Sequence, residues 1–544
     1  MKRMKFKSYV LLACTAIFAI SCTDLEIEEV DSLITPTNPD GTTFNGVSDV
    51  ASALDGTYNA IGNNYGNQEN EFALGVVTTD EFLIPTRGTD WGDNGLWRVL
   101  HQHAWNSQHQ FVQNAWNGWN TTQLQATEII DPKSNATPAQ IAEAKFLRAL
   151  SQFHILDMWG KVPVRDLSLP PSVLPEVLDG PTVVELIIQD LNDAIAGLPT
   201  VGPGSFESTR KASKATARHL LAKVLLNKHV YNGSGTPSSA DMAQVVSLVD
   251  AIAADGFALQ EGFFDIFRIE PDSETIYSIR NDTGPRIFNT LHYTQAFEQG
   301  GGWNGFSTLA EFYDLFEGDP NENLGTVDGT PLSGQEERRG YVPPRGLPAG
   351  APGTKDDNGD GFADGSNVGF GFLIGQQYDI DGTPLEDRSG SNLLKFSRDF
   401  VDGTGAKNLQ NNNEVTGIRL LKYNPRYGEF QGHQVIFRYA DAHLMKAEAL
   451  FRSGGDPLPL INELRVLRNA TPLGSITESD ILAERGRELY TERWRRNDLI
   501  RFGQYTRDWE FKDPSAVNNP DKELFPIPAT QLITNPNLEQ NPGY

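Results

Sequence analysis

The sequence predicts a mainly α-helical scaffold of stacked helical hairpins, broken by long irregular loop insertions that carry short strands. Three observations predict it. Apolar residues recur at helical spacing toward both ends of the 544-residue chain, with capping residues ahead of them. The helical stretches come in pairs of about 15 to 20 residues with small residues where neighbours meet, the tetratricopeptide type of arrangement, although no clean repeat of about 34 residues survives. Between them, residues 320–410 are crowded with Gly, Pro, Asp and Asn and hold short β-like runs such as Phe370 to Ile374.

In chain order, the first segment is an export signal. Lys2, Arg3, Lys5 and Lys7 precede an apolar run from Tyr9 to Ile20, which closes on Ala19-Ile20-Ser21-Cys22. The run is too short to span a bilayer as a stable helix. It reads as a signal peptide over 1–21, cut ahead of a cysteine that is then acylated. Cys14 also follows small and apolar residues, but cleavage there would leave fewer than the roughly 7 to 15 apolar residues a signal core needs. Residues 22–43, acidic at Asp24, Glu26, Glu28 and Glu29 and carrying Pro36 and Pro39, form a lipidated tether.

A single domain over 44–544 follows, read in three parts: helical hairpins over 44–255, a loop-rich insertion over 256–434 and a C-terminal helical part over 435–544. In the first part a helix is expected from Pro138 to Met158, with Thr137 as cap, Phe146, Ala149, Leu150, Phe153 and Leu156 on one face, and Gly160 and Pro163 as its stop. A second opens at Pro181 and ends at Gly197, and a third begins near Ser213 with Ala217, Leu220, Leu221 and Val224 inward. In the last part a helix is expected over Val435 to Arg452, with Phe437, Ala440, Leu444, Ala447 and Phe451 as its stripe and Gly454-Gly455 as its end. Thr477 and Asp480 start another, carrying Ile481 and Leu489 toward Trp494.

Composition narrows the function. With 39% hydrophobic residues and 10% aromatics the mature chain can build a large core, and its two cysteines, one discarded and one lipidated, leave no disulfide. Loss of the four signal-peptide cations takes the net charge from −26 to −30. That acidity argues against nucleic acid and against docking on anionic lipid. No nucleophile elbow, phosphate loop or dinucleotide fingerprint is present. His101 and His103 stand two apart and would face different sides of a helix, so with His109 they read as surface or packing residues rather than zinc ligands.

Four blocks resemble one family. They are Glu143-Ala144-Lys145-Phe146-Leu147-Arg148-Ala149 running on to Trp159-Gly160-Lys161-Val162-Pro163; Arg438-Tyr439-Ala440-Asp441 through Lys446-Ala447-Glu448-Ala449-Leu450; Glu484-Arg485-Gly486-Arg487-Glu488-Leu489 with Arg493-Trp494-Arg495-Arg496-Asn497-Asp498-Leu499 and Arg501-Phe502-Gly503; and Phe525-Pro526-Ile527-Pro528 with Asn535-Pro536-Asn537-Leu538 and Gln540-Asn541-Pro542-Gly543-Tyr544. In this order, behind a lipoprotein signal, they resemble the SusD/RagB group of outer-membrane lipoproteins from Bacteroidetes. The resemblance implies surface exposure at the outer membrane through lipid on Cys22, oligosaccharide binding without catalysis and without a required cofactor, and partnership with a SusC-type TonB-dependent β-barrel transporter. The matching blocks themselves read as scaffold, with Arg148, Asp441, Glu448, Arg487 and Asp498 as buried or semi-buried polar partners.

Recognition of neutral sugars needs flat aromatics for C–H faces and polar groups at their edges. Two stretches offer both: Arg87, Asp90, Trp91 and Asp93 in one, and Tyr293, Trp303 and Asn304 in the other, where glycines 300–302 leave the Trp303 ring little cover. Trp91 and Trp303 stand equally as site or as packing residues, whereas Trp97, Trp105, Trp116 and Trp119 sit in or beside a helix, where core packing is expected. Separately, Asp356, Asn358, Asp360, the Phe362 carbonyl and Asp364 follow calcium-loop spacing, but position twelve is Asn367 rather than Glu. Calcium and a plain Asp/Asn/Gly turn cluster both fit. Two further functions fit the composition: a secreted glycoside hydrolase, which would need two carboxylates about 5 to 9.5 Å apart, and a surface binder of peptide or other nutrient. For a glycan binder, replacing Trp91 or Trp303 by Ala is expected to weaken binding and leave the melting temperature nearly unchanged.

Overall fold

Thr137 and Gln140 close a reciprocal capping box at the head of the longest helix, and Gly160, in the left-handed region, ends it. The structure, a computed structural model, describes residues 44–268, 270–281, 290–295, 302–327, 330–342, 369–378, 383–423 and 432–544. Cys22 and the Asp356–Asp364 stretch lie outside the described residues. All elements below belong to one unit, Asn45–Leu167 with Val173–Tyr544.

The described chain is mainly helical. Helices α1 (Val50–Gly66), α2 (Gln110–Ile130), α3 (Pro138–Trp159), α4 (Gly180–Gly197), α5 (Lys214–Tyr231), α6 (Ser239–Ala254) and α7 (Tyr439–Arg452) each pack on the next in the series. Then α8 (Leu458–Leu467) and α9 (Glu478–Leu489) pack on α7, and α10 (Arg495–Arg501) on α9. Asp179, Ser213 and Thr477 cap α4, α5 and α9 through side-chain oxygens, each relieving an orphan N–H for about 1 kcal/mol. The inward residues expected for α3 and α5 are buried, as are Val184, Ile187 and Leu191 of α4.

The described strands are few and short, and each pairing between them is antiparallel. A hairpin of β1 (Val162–Val164) and β2 (Glu176–Leu178) follows α3. β3 (Thr275–Asn281) pairs with β7 (Gly432–Arg438), and β5 (Phe370–Leu373) lies between β4 (Gly340–Tyr341) and β6 (Arg419–Leu421).

β7 corrects the helix expected from Val435. Residues Val435–Arg438 are strand, and the helix begins only at Tyr439. The β-branched pair Val435-Ile436 suits a pleated, paired surface, and register with β3 places Val435 opposite Ser278 and Phe437 opposite Tyr277. Phe437 is therefore buried from a strand and stacks on His219 at 4.4 Å, rather than joining the α7 stripe.

Charge holds this frame together from inside. Glu488 accepts from Arg338, Arg438 and Arg468; Arg438 also meets Glu274 at 2.9 Å and Glu492 at 2.9 Å, and Arg338 meets Glu484 at 2.6 Å, all buried. A second cluster joins Asp441 to Lys223 at 2.7 Å and to Arg485 at 2.8 Å, then Arg485 and Arg501 to Asp498, and Arg501 to Glu448. Arg148 pairs with Asp190 in two parallel hydrogen bonds, and Arg487 with Glu484. The five residues read from sequence as buried or semi-buried polar partners are placed so.

Two outcomes are expected. Replacing Glu488 by Gln removes the one charge on which three buried guanidiniums converge, leaving them only their other carboxylates, and lowers unfolding free energy by about 3 kcal/mol, measured by urea denaturation. Second, although burial alone would raise them, Arg338, Arg487 and Arg465 hold Glu484 at about 2, and Arg501 and Arg452 hold Glu448 at about 2. Lowered carboxylates stabilise above the unfolded value and lose that contribution as pH falls through the folded one, roughly 3 kcal/mol each between pH 4.5 and 2. Buried His101 and His154, lowered by desolvation to about 4 and about 3, add loss below pH 6.5, while Glu71 and Glu81, raised by desolvation to about 7 and about 8, oppose it only above pH 4.5. The melting temperature is therefore expected to fall most steeply between pH 4.5 and 2, in a pH series followed by calorimetry.

Candidate functional site

A tight turn starts the site. Arg87 and Asp90 exchange backbone hydrogen bonds at 3.0 and 2.9 Å across Gly88, which takes the left-handed conformation the turn requires. The next residue, Trp91, has φ 58°, an uncommon conformation for a bulky side chain. Packing overrides that preference: the ring meets Trp97 and Phe306 edge-to-face, each at 5.8 Å, and its Nε1–H donates to the Trp303 carbonyl at 2.6 Å. Gly305 leaves room for it, since a Cβ there would overlap the Trp91 indole.

Three hydrogen bonds join the two stretches singled out from sequence. Besides Trp91 to Trp303, the Tyr293 hydroxyl donates to Asp90, and Arg87 Nε donates to the Asn304 carbonyl at 2.8 Å. Asp93 is exposed and accepts from Trp97 Nε1 at 2.9 Å. Trp303 remains 60% exposed, the most open aromatic side chain among the described large hydrophobics, while Trp91 is half-buried. Trp97, Trp105, Trp116 and Trp119 are buried, and so are His101, His103 and His109, which bond backbone groups.

Arg87 and Asn304 lie beneath this surface. Arg87 also donates to the carbonyls of Asn413 and Thr416 and to the hydroxyls of Thr416 and Ser307. Asn304 accepts from Arg419 at 2.7 and 3.0 Å and donates to the Glu414 carbonyl at 3.0 Å. Every strong group on both side chains is thus engaged within the protein, so they position the site rather than line it. Burial pushes Arg87 down to about 9.

Sequence reasoning missed the rim. Arg388 is 47% exposed, with its guanidinium 3.8 Å from the Tyr293 ring centre and 3.2 Å from Asp90, and it also pairs with Glu414. His292, lowered by burial to about 4, bonds Glu414 at 2.9 Å. Against partial desolvation, bonds from the Arg388 N–H, its guanidinium and His292 hold the Glu414 carboxyl below the usual range. Ionised and tied to Arg388, Glu414 is poorly suited to donate a proton as a glycosidase acid must. Nothing local marks Arg388 or Glu414; a third stretch, residues 386–416, brings them in.

The arrangement offers a bare indole face, a phenol, a guanidinium and carboxylates, the set needed to stack on a C–H face and hydrogen-bond hydroxyls at its edge. Neither of two cavities, of about 990 and 420 Å³, shares a lining residue with it. The larger is polar, and two of its three lining cations pair with carboxylates, Lys211 with Asp55 and Arg210 with Glu207. Replacing Gly305 by Ala is expected to displace Trp91, with a changed near-ultraviolet circular dichroism spectrum and a melting temperature several degrees lower.

Comparison with known proteins places the fold. The chain is 26% identical over 509 residues to the starch-binding protein SusD of Bacteroides thetaiotaomicron, covering 87% of this chain and 85% of that one. It is 24% identical to the SusD-like protein P25 of Formosa agariphila, over 99% of this chain and 100% of the other. Among solved structures, a laminarin-binding SusD-like protein superposes with a TM-score of 0.62 at 21% identity, covering 92% of this chain and all of that one. Surface glycan-binding protein A from Bacteroides uniformis gives 0.63 at 16% identity, with 90% and 98% covered. The SusD family model matches residues 266–544, more than half the chain and the part that carries Trp303, Arg388 and the charge cluster around Glu488, and the chain belongs to the SusD family.

Proposed function

We propose that this chain is a cell-surface glycan-binding lipoprotein that holds neutral oligosaccharide on the Trp303 face and delivers it, without cleaving it, to a SusC-type TonB-dependent outer-membrane transporter. The observation that carries the reading is the division of labour in Trp303. Its backbone carbonyl anchors Trp91, whereas the residue is 60% exposed and is joined by that bond to the turn whose Asp90 accepts from the Tyr293 phenol and pairs with Arg388. Relatives named for starch and laminarin binding support sugar as the cargo. The signal sequence ending at Cys22 supports lipid anchoring in the outer membrane.

Covering one indole face removes ~100 Å² of apolar surface, worth ~2.5 kcal/mol. With a few edge hydrogen bonds, less the cost of association, affinity falls in the micromolar to millimolar range. That suits a protein that must release its cargo.

The test is calorimetric titration with soluble starch and laminarin oligosaccharides. Replacing Trp303 by Ala is expected to weaken binding about ten-fold or more with the melting temperature unmoved. Replacing Trp91 by Ala is expected to weaken binding and also to lower the melting temperature, because its ring packs on Trp97 and Phe306. That departs from the sequence-based expectation that both variants would leave stability alone. Undiminished affinity in Trp303→Ala would refute the placement, and release of reducing ends would refute a binding-only role.

A further inference from the structure

We infer that the cavity of about 420 Å³ between α2, the β1–β2 hairpin and the C-terminal segment is a second binding site, for a short uncharged saccharide. The volume lies within the roughly 300–1,000 Å³ of small-ligand pockets. Three separate parts of the chain build it. Asn117, Thr121 and Leu124 come from successive turns of α2, Leu174 and Pro175 from the approach to β2, and Asn535 and Leu538 from the C-terminal segment.

Its composition is set apart from the rest of the chain. Arg165 is the only charged side chain among the described lining residues, although 21% of the sequence is charged. The remainder are amides, hydroxyls, prolines, leucines and Trp116, the mixture that meets ring C–H groups with apolar surface and hydroxyls with uncharged donors and acceptors. A charged ligand would find only one counter-ion there.

The walls are fixed by bonds between lining residues and their neighbours. Asn535 Nδ2 donates to the Pro175 carbonyl at 3.4 Å, Gln531 Nε2 to Asn117 Oδ1 at 3.2 Å, and Gln123 Nε2 to the Pro163 carbonyl at 2.7 Å, tying C-terminal segment, helix and hairpin together. Thr121 is exposed on the helix face that lines the space.

Exposed apolar side chains contribute to the lining. Among the described residues ten large hydrophobics are exposed, and two of them, Leu124 at 37% and Leu174 at 39%, line this space. Concavity and the amide-lined walls favour a small hydroxyl-bearing ligand over a flat protein face.

The experiment follows leucine methyl resonances of the full mature protein during titration with maltotriose and, separately, laminaritriose. Saturable shifts of Leu124, Leu174 and Leu538 are expected with at least one sugar. They persist in Trp303→Ala with an affinity changed less than about two-fold, and weaken about ten-fold or more in Thr121→Trp, whose indole fills the space. Because Trp303→Ala removes the aromatic site, failure of the reading proposed above and failure of this one are separate results. Absence of saturable shifts with both sugars, loss of the shifts in Trp303→Ala, retention in a folded Thr121→Trp protein, or saturation only by a proline-rich peptide would each overturn the inference. Should Thr121→Trp fail to fold, Asn117→Lys, at an exposed position, serves in its place with the same expected loss.

Discussion

Glu488 is the point on which the structure turns. Three guanidiniums converge on it from outside its own helix: Arg338 from the irregular middle of the chain, Arg438 from the end of β7, and Arg468 from just beyond α8. Burying so many charges is costly unless each finds partners, and here Glu274, Glu484 and Glu492 share the cations that Glu488 does not satisfy. The geometric demand is strict. A guanidinium offers donors in a fixed planar fork, so the segments that supply the arginines must arrive in one orientation. A segment rich in Gly, Pro, Asp and Asn cannot specify its own path by hydrophobic periodicity. It can be pinned by a few buried arginines.

The same network reaches the aromatic site through one short strand. Lys422, one residue past β6, donates to the carbonyls of Glu488 and Tyr490 at 3.0 and 2.9 Å. At the other end of β6, Arg419 holds Asn304 and, with Arg87, the loop at Thr416. Residues three apart on a strand point to opposite faces, so β6 carries the charge network on one side and the floor of the site on the other. Trp303 is thereby referenced to the core of the helical array even though its neighbours in sequence are glycines. Among the described residues Arg87 and Arg419 have no carboxylate partner in this floor; carbonyls and hydroxyls satisfy them.

What was legible in the sequence was what local physics determines. Thr137, Ser213 and Thr477 cap helices because a side-chain oxygen three residues ahead of an orphan N–H needs no tertiary help, and the inward faces of α3 and α5 follow from spacing alone. Val435–Arg438 misled because a β-branched run preceding a true helix has an apolar spacing that also suits a helix; only pairing with β3, more than 150 residues earlier in the chain, decides it. In the site, the polar and glycine neighbours of Trp91 and Trp303 signalled a loop, yet one ring is exposed and the other half-buried. The difference lies in Gly305 and Phe306, which admit and cover Trp91 and do nothing for Trp303. Arg388 and Glu414 carried no local signal, since their role comes from meeting Asp90, Tyr293 and His292 across long loops.

An exposed indole on a glycine-flanked loop is a liability unless something uses it, because water contact with a large apolar face contributes nothing to folding. In this fold the backbone of Trp303 already performs the structural task, accepting the Trp91 N–H, and any residue at this position would supply that carbonyl. Folding therefore gives no reason for the side chain to be tryptophan. Its rim points the same way: Arg388 lies over the Tyr293 ring and pairs with both Asp90 and Glu414, so hydrogen-bonding groups of both signs surround the phenol. On the function proposed above, such a surface discriminates by shape and hydroxyl geometry. That is the discrimination a neutral sugar requires.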